Sequence, residues 1–162
     1  MLRAGKTSVL LTGTGGFKAL DKHSDYFLNA FGGAFGGIIE DHPVFAPIPH
    51  QGRLHLGLYQ LIAGGKLLDA EAMPAALRDG SVVWGLGLSA WIVTEKNLQR
   101  SALYCEVVTD RDLHLILCNL DLLADKPESR YVLGRTIDYL VTGQASALAK
   151  RCVTADLEHM LQ

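Results

Sequence analysis

Apolar and polar positions along this chain repeat with two different periods, and the change of period marks its elements. Thr7 to Thr12 (T-S-V-L-L-T) predicts a buried strand with a continuous apolar centre. Leu103 to Thr109 and Leu113 to Leu120 are two further β-rich runs. The polar triplet Asp110-Arg111-Asp112 between them is short enough to close a hairpin. Beyond a short loop the period lengthens to that of a helix. Leu133, Ile137, Leu140 and Val141 recur at i, i+4, i+7 and i+8, which predicts one apolar stripe turned toward the sheet. Asp125 and Glu128 have capping-box spacing, and Pro127 falls in the first turn, where its missing N–H costs nothing. Gly143 is placed to end the helix in a left-handed cap.

Shorter signals cover the rest. Leu2 to Lys6 reads as a helix end and a Gly turn, Gly13 to Gly16 as a glycine-rich turn, and His23 to Phe31 as a short amphipathic helix with Ser24 as N-cap. Gly32, Gly33, Gly36 and Gly37 interrupt Phe35 and Ile38-Ile39, predicting a strand closely approached by other backbone. His42 to Gly52 (H-P-V-F-A-P-I-P-H-Q-G) holds three prolines, which fix φ and remove donors, so an extended loop is expected. Leu54 to Ile62 resumes a strand pattern, Gly64-Gly65 turns the chain, and Asp69 to Leu77 is a loop or helical turn broken by Pro74. Ser81 to Trp84 and Trp91 to Thr94 predict strands. No repeat or linker divides the chain. Residues 1–144 are read as one α/β domain. Residues 145–162 are read as a helical tail from a Thr154 cap, with Leu157, Met160 and Leu161 packed on the domain or on a partner.

Composition narrows the function classes. At 162 residues and 49% hydrophobic content, the chain suits one domain with a substantial core. A net charge of −2 with scattered basic residues offers no broad attraction for nucleic acid or an anionic membrane, and neither partner is expected. No apolar run approaches the roughly 20 residues needed to span a bilayer, and Met1 to Lys6 lacks the apolar core of a signal peptide. Cys105, Cys118 and Cys152 fit neither a disulfide framework nor a zinc signature. A turn centred on Arg111-Asp112 would place Cys105 opposite Cys118, as small buried apolar groups that oxidation could join.

Several motifs carry candidate chemistry. Gly13-x-Gly15-Gly16 after an apolar strand suits a phosphate-binding turn, but Lys18 stands where the third small residue belongs. Gly85-x-Gly87-x-x-Ala90, after Val82-Val83-Trp84 and with Asp110 further on, is the best dinucleotide-binding signal. Against it, Trp91 to Thr94 favours strand where that fingerprint needs a helix. Ser89, with Asp138 and His159 in hydrolase order, touches a nucleophile elbow whose fifth position is Trp91 rather than Gly. His42, His50 and His55 cluster without zinc-ligand spacing, and Asp121 and Asp125 suit turns or caps. No catalytic residue, metal ligand or cofactor is therefore assigned.

Taken in order, H-P-V-F-A-P-I-P-H-Q-G, Leu61-Ile62-x-Gly64-Gly65, L-I-L-C-N-L-D-L, K-P-E-S-R-Y-V-L and D-Y-L make residues 35–140 resemble the C-terminal region of bacterial glycoside hydrolase family 2 proteins of the β-galactosidase type. The chain departs at the hairpin, where that family often shows Gly-Lys-Gly and Asp110-Arg111-Asp112 stands here, which leaves the turn type open. The resemblance implies a class I glutamine-amidotransferase-like, flavodoxin-like fold. The expectation is an open, largely parallel sheet of about five to seven strands, flanked by helices, with the hairpin at one side and without the opening strand–helix units of a complete doubly wound domain. It implies an accessory or oligomerisation domain, partnered by the parent's catalytic barrel or by itself, the glutamate pair of a retaining glycosidase belonging to that barrel. A nucleotide-binding oxidoreductase-like domain using Gly85, Gly87, Ala90 and Asp110 is the alternative, and a small serine hydrolase a third.

Overall fold

The computed structural model describes residues 7–12, 36–53, 58, 61, 68–88 and 98–160. In chain order the elements are β1 (Ser8–Thr12), β2 (Gly36–Ile39), β3 (Leu68–Asp69), a 3₁₀ turn (Ala70–Ala72), α1 (Ala75–Asp79), β4 (Ser81–Leu88), β5 (Leu98–Thr109), β6 (His114–Cys118), α2 (Pro127–Thr142), β7 (Lys150–Cys152) and α3 (Thr154–Met160). The segments expected around 2–6, 13–35, Gly64-Gly65 and Trp91 to Thr94 lie outside the described residues.

An open mixed sheet runs β1-β6-β5-β4-β2, with β3 and β7 also paired to β5. The expected largely parallel order is corrected. Among the described residues β2–β4, β3–β5, β4–β5 and β5–β6 are antiparallel, and only β1–β6 and β5–β7 are parallel. Connectivity accounts for the directions of β5–β6 and β5–β7. Strands joined by a tight turn must reverse, whereas β7 runs parallel to β5 because the chain reaches it only after traversing α2. The hairpin is not at one side either: β5, 12 residues long, is the central strand. Its first half pairs with β3 and β4, its second with β6 and β7.

The period of two sorts the strands into two cores. Tyr104, Ile116 and Cys118 lie with Phe45, Leu61 and Val132 of α2 in one cluster. Cys105, Val107, Leu115 and Leu117 lie with Leu77 of α1 and Leu157 of α3 in the other. The β4–β5 register is irregular around Val82 and Val83, and there Val82 and Val83, like Leu103 and Tyr104, are consecutive residues in one cluster. Such bulges let neighbouring side chains face the same way.

The hairpin has a three-residue loop. Leu113 accepts from the Thr109 N–H at 2.9 Å, Thr109 accepts from the Asp112 N–H at 3.0 Å, and Asp112 takes a left-handed φ of 57° where Gly is commonest. The Thr109 hydroxyl accepts from the Arg111 and Leu113 amides. This loop pairs Tyr104 with Cys118 and Cys105 with Leu117, so the expected Cys105–Cys118 pair does not form and the thiols face opposite cores. A shift of one residue is enough to change face. Burial pushes each of the two thiols up to about 12.

The helix forms as predicted but turns differently. Ile137 is 48% exposed and Val141 81%, whereas Ser129, Val132 and Thr136 are buried with Leu133, Tyr139 and Leu140 packed beside them. Two polar anchors set this rotation: Ser129 Oγ donates to the Asp121 carbonyl at 2.6 Å, and the Tyr139 hydroxyl reaches inward. Lys126 rather than Asp125 occupies the N-cap, without a side-chain bond, and Asp125 accepts from Arg130 instead. Gly143 closes the helix at φ 67° as expected.

Three further readings change. The 145–162 tail is not wholly helical, since Lys150–Cys152 joins the sheet before α3 begins at Thr154. The Pro-rich segment is not extended throughout, because the Phe45 and Ala46 amides both fold back onto the His42 carbonyl. In the expected strand 54–62, the described Leu58 and Leu61 are buried and helical, at the i, i+3 spacing of one helical face.

Gly80 makes a tight backbone approach in this framework. Its carbonyl accepts the Glu106 N–H at 2.8 Å, and a Cβ placed on it would lie 2.3 Å from the Glu106 carbonyl oxygen. Gly80→Ala is expected to destabilise by about 1–3 kcal/mol, the usual range for an overpacked interior. Gly134→Ala, where a Cβ meets nothing within 4 Å on α2, should stabilise by about 1 kcal/mol through helix propensity. Paired urea melts check both signs.

Candidate functional site

A carboxylate lies in the middle of an apolar strand. Glu106 falls between Cys105 and Val107 on β5, the central strand, and is 0% exposed. Leaving it charged and unpaired would be prohibitive, so the fold surrounds it with donors. Oε1 accepts from His114 Nε2 at 2.6 Å, from the Tyr139 hydroxyl at 2.6 Å and from the Ser146 N–H at 3.2 Å. Oε2 accepts from His42 Nε2 at 3.3 Å and from Ser146 Oγ.

Each donor arrives on a different segment for a local reason. His114 opens β6, and the three-residue hairpin loop sets it beside β5. Tyr139 comes from the last turns of α2, and the left-handed Gly143 then reverses the chain so that Ser146 meets the carboxylate. His42 comes from the turn after β2, its ring orientation held because Nδ1 accepts the Val44 N–H at 3.2 Å. That bond leaves Nε2 as the protonated nitrogen. The ring also packs edge-on to Tyr104 and Tyr139, at centroid distances of 5.6 and 5.0 Å.

Burial pushes the Glu106 carboxyl up, but hydrogen bonds from His114, His42, Ser146 and Tyr139 outweigh it and hold the group well below the usual carboxylate range. Burial, reinforced by the adjacent carboxylate, pushes the Tyr139 hydroxyl far up, which keeps it a donor. The Ser, His and Glu side chains do not form a nucleophilic relay. Ser146 and His114 both bond to the carboxylate, whereas a relay needs the base between nucleophile and acid.

His114 and Ser146 also line a cleft of about 470 Å³ between the hairpin and the loop after α2, with Asp112, Gln144 and Arg151 on its walls. Among the described residues, no group of three or more His, Cys, Asp or Glu side chains is arranged to hold a metal ion. Likewise no described helix is long and apolar enough to cross a membrane.

The candidates named from motifs are not brought together. Gly85 and Gly87 are ladder positions of β4, opposite Ser101 and Gln99, so no phosphate-cradling turn forms there. Asp110 sits in the hairpin loop, nine residues along β5 from Ser101, about 30 Å away at ~3.3 Å per residue. Its carboxylate accepts from the Thr154 N–H at 3.0 Å and from the Thr154 hydroxyl, bonds that hold it below the ordinary value and tie α3 to the hairpin. Ala90, Ser89, His55 and Gly13 to Gly16 lie outside the described residues, and Asp138 is exposed on α2. His50 is separate from His42, its Nδ1 accepting the Gly52 N–H. The carboxylate centre went unnoticed in the sequence, although a glutamate in the apolar run L-Y-C-E-V-V was the visible signal.

No protein-family model matches the chain, and no curated protein matches it.

Glu106→Gln tests the centre. The substitution puts an amide N–H₂ among groups that all donate, and about 3 kcal/mol of stability should be lost. The native carboxyl titrates below its unfolded value of about 4.3, so its contribution is complete above that pH and disappears as pH falls toward the folded value. Urea melts across the acid range should therefore show the wild-type advantage over Glu106→Gln shrinking with acidification. An advantage that stays flat would contradict an ionised Glu106.

Proposed function

We propose that this chain is a non-catalytic accessory domain of a carbohydrate-active hydrolase of the β-galactosidase type, packing on a catalytic partner domain or on a second copy of itself. The observation that carries the reading is the outer face of α2. Tyr131, Ile137 and Val141 are exposed apolar side chains on a helix whose inner face already covers the sheet. An apolar surface on a well-packed helix fits a partner better than solvent. The saturated carboxylate agrees with it: with five donors on its two oxygens, Glu106 is a poor acid or base for a sugar.

The fold assignment that accompanies this reading is a modified class I glutamine-amidotransferase-like arrangement. The parallel β1–β6 pair with α2 over one face, and the order of hairpin, loop and helix, support it. The antiparallel β2–β4–β5 side is the modification. Of the other readings, the nucleotide-binding one loses its turn where Gly85 and Gly87 enter the ladder.

Light scattering coupled to size exclusion tests the reading. The isolated chain should exceed monomer mass, and Ile137→Asp with Val141→Asp should return it to monomer without lowering the melting temperature. Aryl glycosides should be hydrolysed at the buffer rate. A monomer at every concentration, together with no association with a family 2 catalytic barrel, would sink the packing role. Turnover abolished by a carboxylate substitution in this chain would sink the non-catalytic one.

A further inference from the structure

Gly134 stands in the interior of α2, where nothing in the chain itself calls for a glycine. Its φ is not positive, and a Cβ placed on it would meet nothing within 4 Å. Glycine is the poorest helix former after proline, so the helix is weakened there with no return in backbone conformation or internal packing. Its position on the helix is specific. At about 100° per residue, the buried Val132 and Thr136 fall on either side of the direction opposite Gly134, which makes the glycine the centre of the outer face.

The residues around that centre are arranged evenly about it. Arg130 lies four residues before Gly134 and Asp138 four after, while Tyr131 and Ile137 lie three before and three after, and all four are exposed. Arg130 donates to Asp125 through one nitrogen, which leaves the rest of its guanidinium fork available. Asp138 takes part in none of the ion pairs among the described residues.

A row with a cation four residues before a glycine and an anion four residues after it is complementary to its own reverse. When two helices cross at about 50°, their i±4 rows lie parallel. If two copies of α2 cross head to tail at Gly134, Arg130 of each copy meets Asp138 of the other. The rows on either side bring Tyr131 against Tyr131 of the second copy and Ile137 against Ile137. With no side chain at the crossing, the axes approach to the short end of helix packing, about 8 Å, and these flanking side chains touch. We propose that α2 is a self-recognition helix, pairing antiparallel with α2 of a second copy about a two-fold axis at Gly134. A face built for an unrelated domain has no reason to match its own reverse in charge, whereas a two-fold interface requires it. The inference rests on the packing role proposed above and selects the second copy as the partner. One helix from each copy makes a small interface, so the dimer is weak and concentration-dependent.

Charge reversal tests the arrangement, with sedimentation velocity on the intact chain over a range of concentrations as the readout. Arg130→Glu alone sets two pairs of like charges against each other, and so does Asp138→Arg alone. Each should weaken self-association about tenfold, the effect of two exposed pairs. Mixing the two variants restores opposite charges at both contacts, so native mass spectrometry of the mixture should show the heterodimer in excess over either homodimer. Gly134→Gln adds a good helix former at the crossing. It should abolish the dimer without lowering the melting temperature of dilute protein, which separates loss of the contact from loss of the fold. A dimer indifferent to the charge reversals, a mixture with no excess of heterodimer, or a dimer that survives Gly134→Gln would each overturn the proposal. In any of those cases, a dimer still dispersed by Ile137→Asp with Val141→Asp keeps the packing role and removes only this pairing. A monomer that binds a family 2 catalytic barrel does the same, whereas a monomer that does not removes both.

Discussion

One buried negative charge governs the arrangement of this domain. Glu106 lies on the strand that every strand except β1 and β2 pairs with directly, and water cannot reach it. An ion removed from water is tolerated only when hydrogen bonds replace its hydration. Here the replacements come from the turn after β2, from β6, from α2 and from the loop that follows it. Segments distant in sequence are thereby held to one point, so removing the carboxylate loosens several elements together.

The backbone near this point is as constrained as the side chain. Glu106 donates its N–H to Gly80, and the close approach leaves no room for a Cβ at that turn. α1, β4 and β5 are therefore fixed together by one contact with no side chain on the Gly80 side. On the opposite core, Asp110 binds the first residue of α3, which joins the C-terminal helix to the hairpin that also positions His114. Both cores are thus tied to β5, one through Glu106 and the other through the end of the strand.

The same geometry separates the chemistry of the site from its surroundings. The carboxylate serves architecture, because its oxygens are occupied. The unsatisfied capacity lies next to it, at His114 Nδ1 and along the cleft walls. Elsewhere, the exposed apolar side chains of α2 lie on its outer face, away from the sheet. The polar groups at the cleft and the exposed apolar side chains of α2 are therefore different residues and can be altered separately.

Periodicity and turn chemistry in the sequence were enough to determine β1, the hairpin, the extent of α2, its Gly143 cap and the start of α3, since each depends on residues close in the chain. Strand direction was decided by tertiary structure, because the continuous apolar centre of Ser8 to Thr12 reads the same beside a parallel or an antiparallel neighbour. The face of α2 was decided there too. Ile137 and Val141 have the spacing of a core stripe, but Ser129 and Tyr139 find partners inward and rotate the helix away from it. One extra residue in the hairpin loop set Cys105 and Cys118 on opposite faces, a difference no run of apolar letters records. The Glu106 centre was the least legible feature, because His42, His114, Tyr139 and Ser146 share no spacing in sequence and meet only when the sheet and α2 are assembled around a charge that water cannot reach.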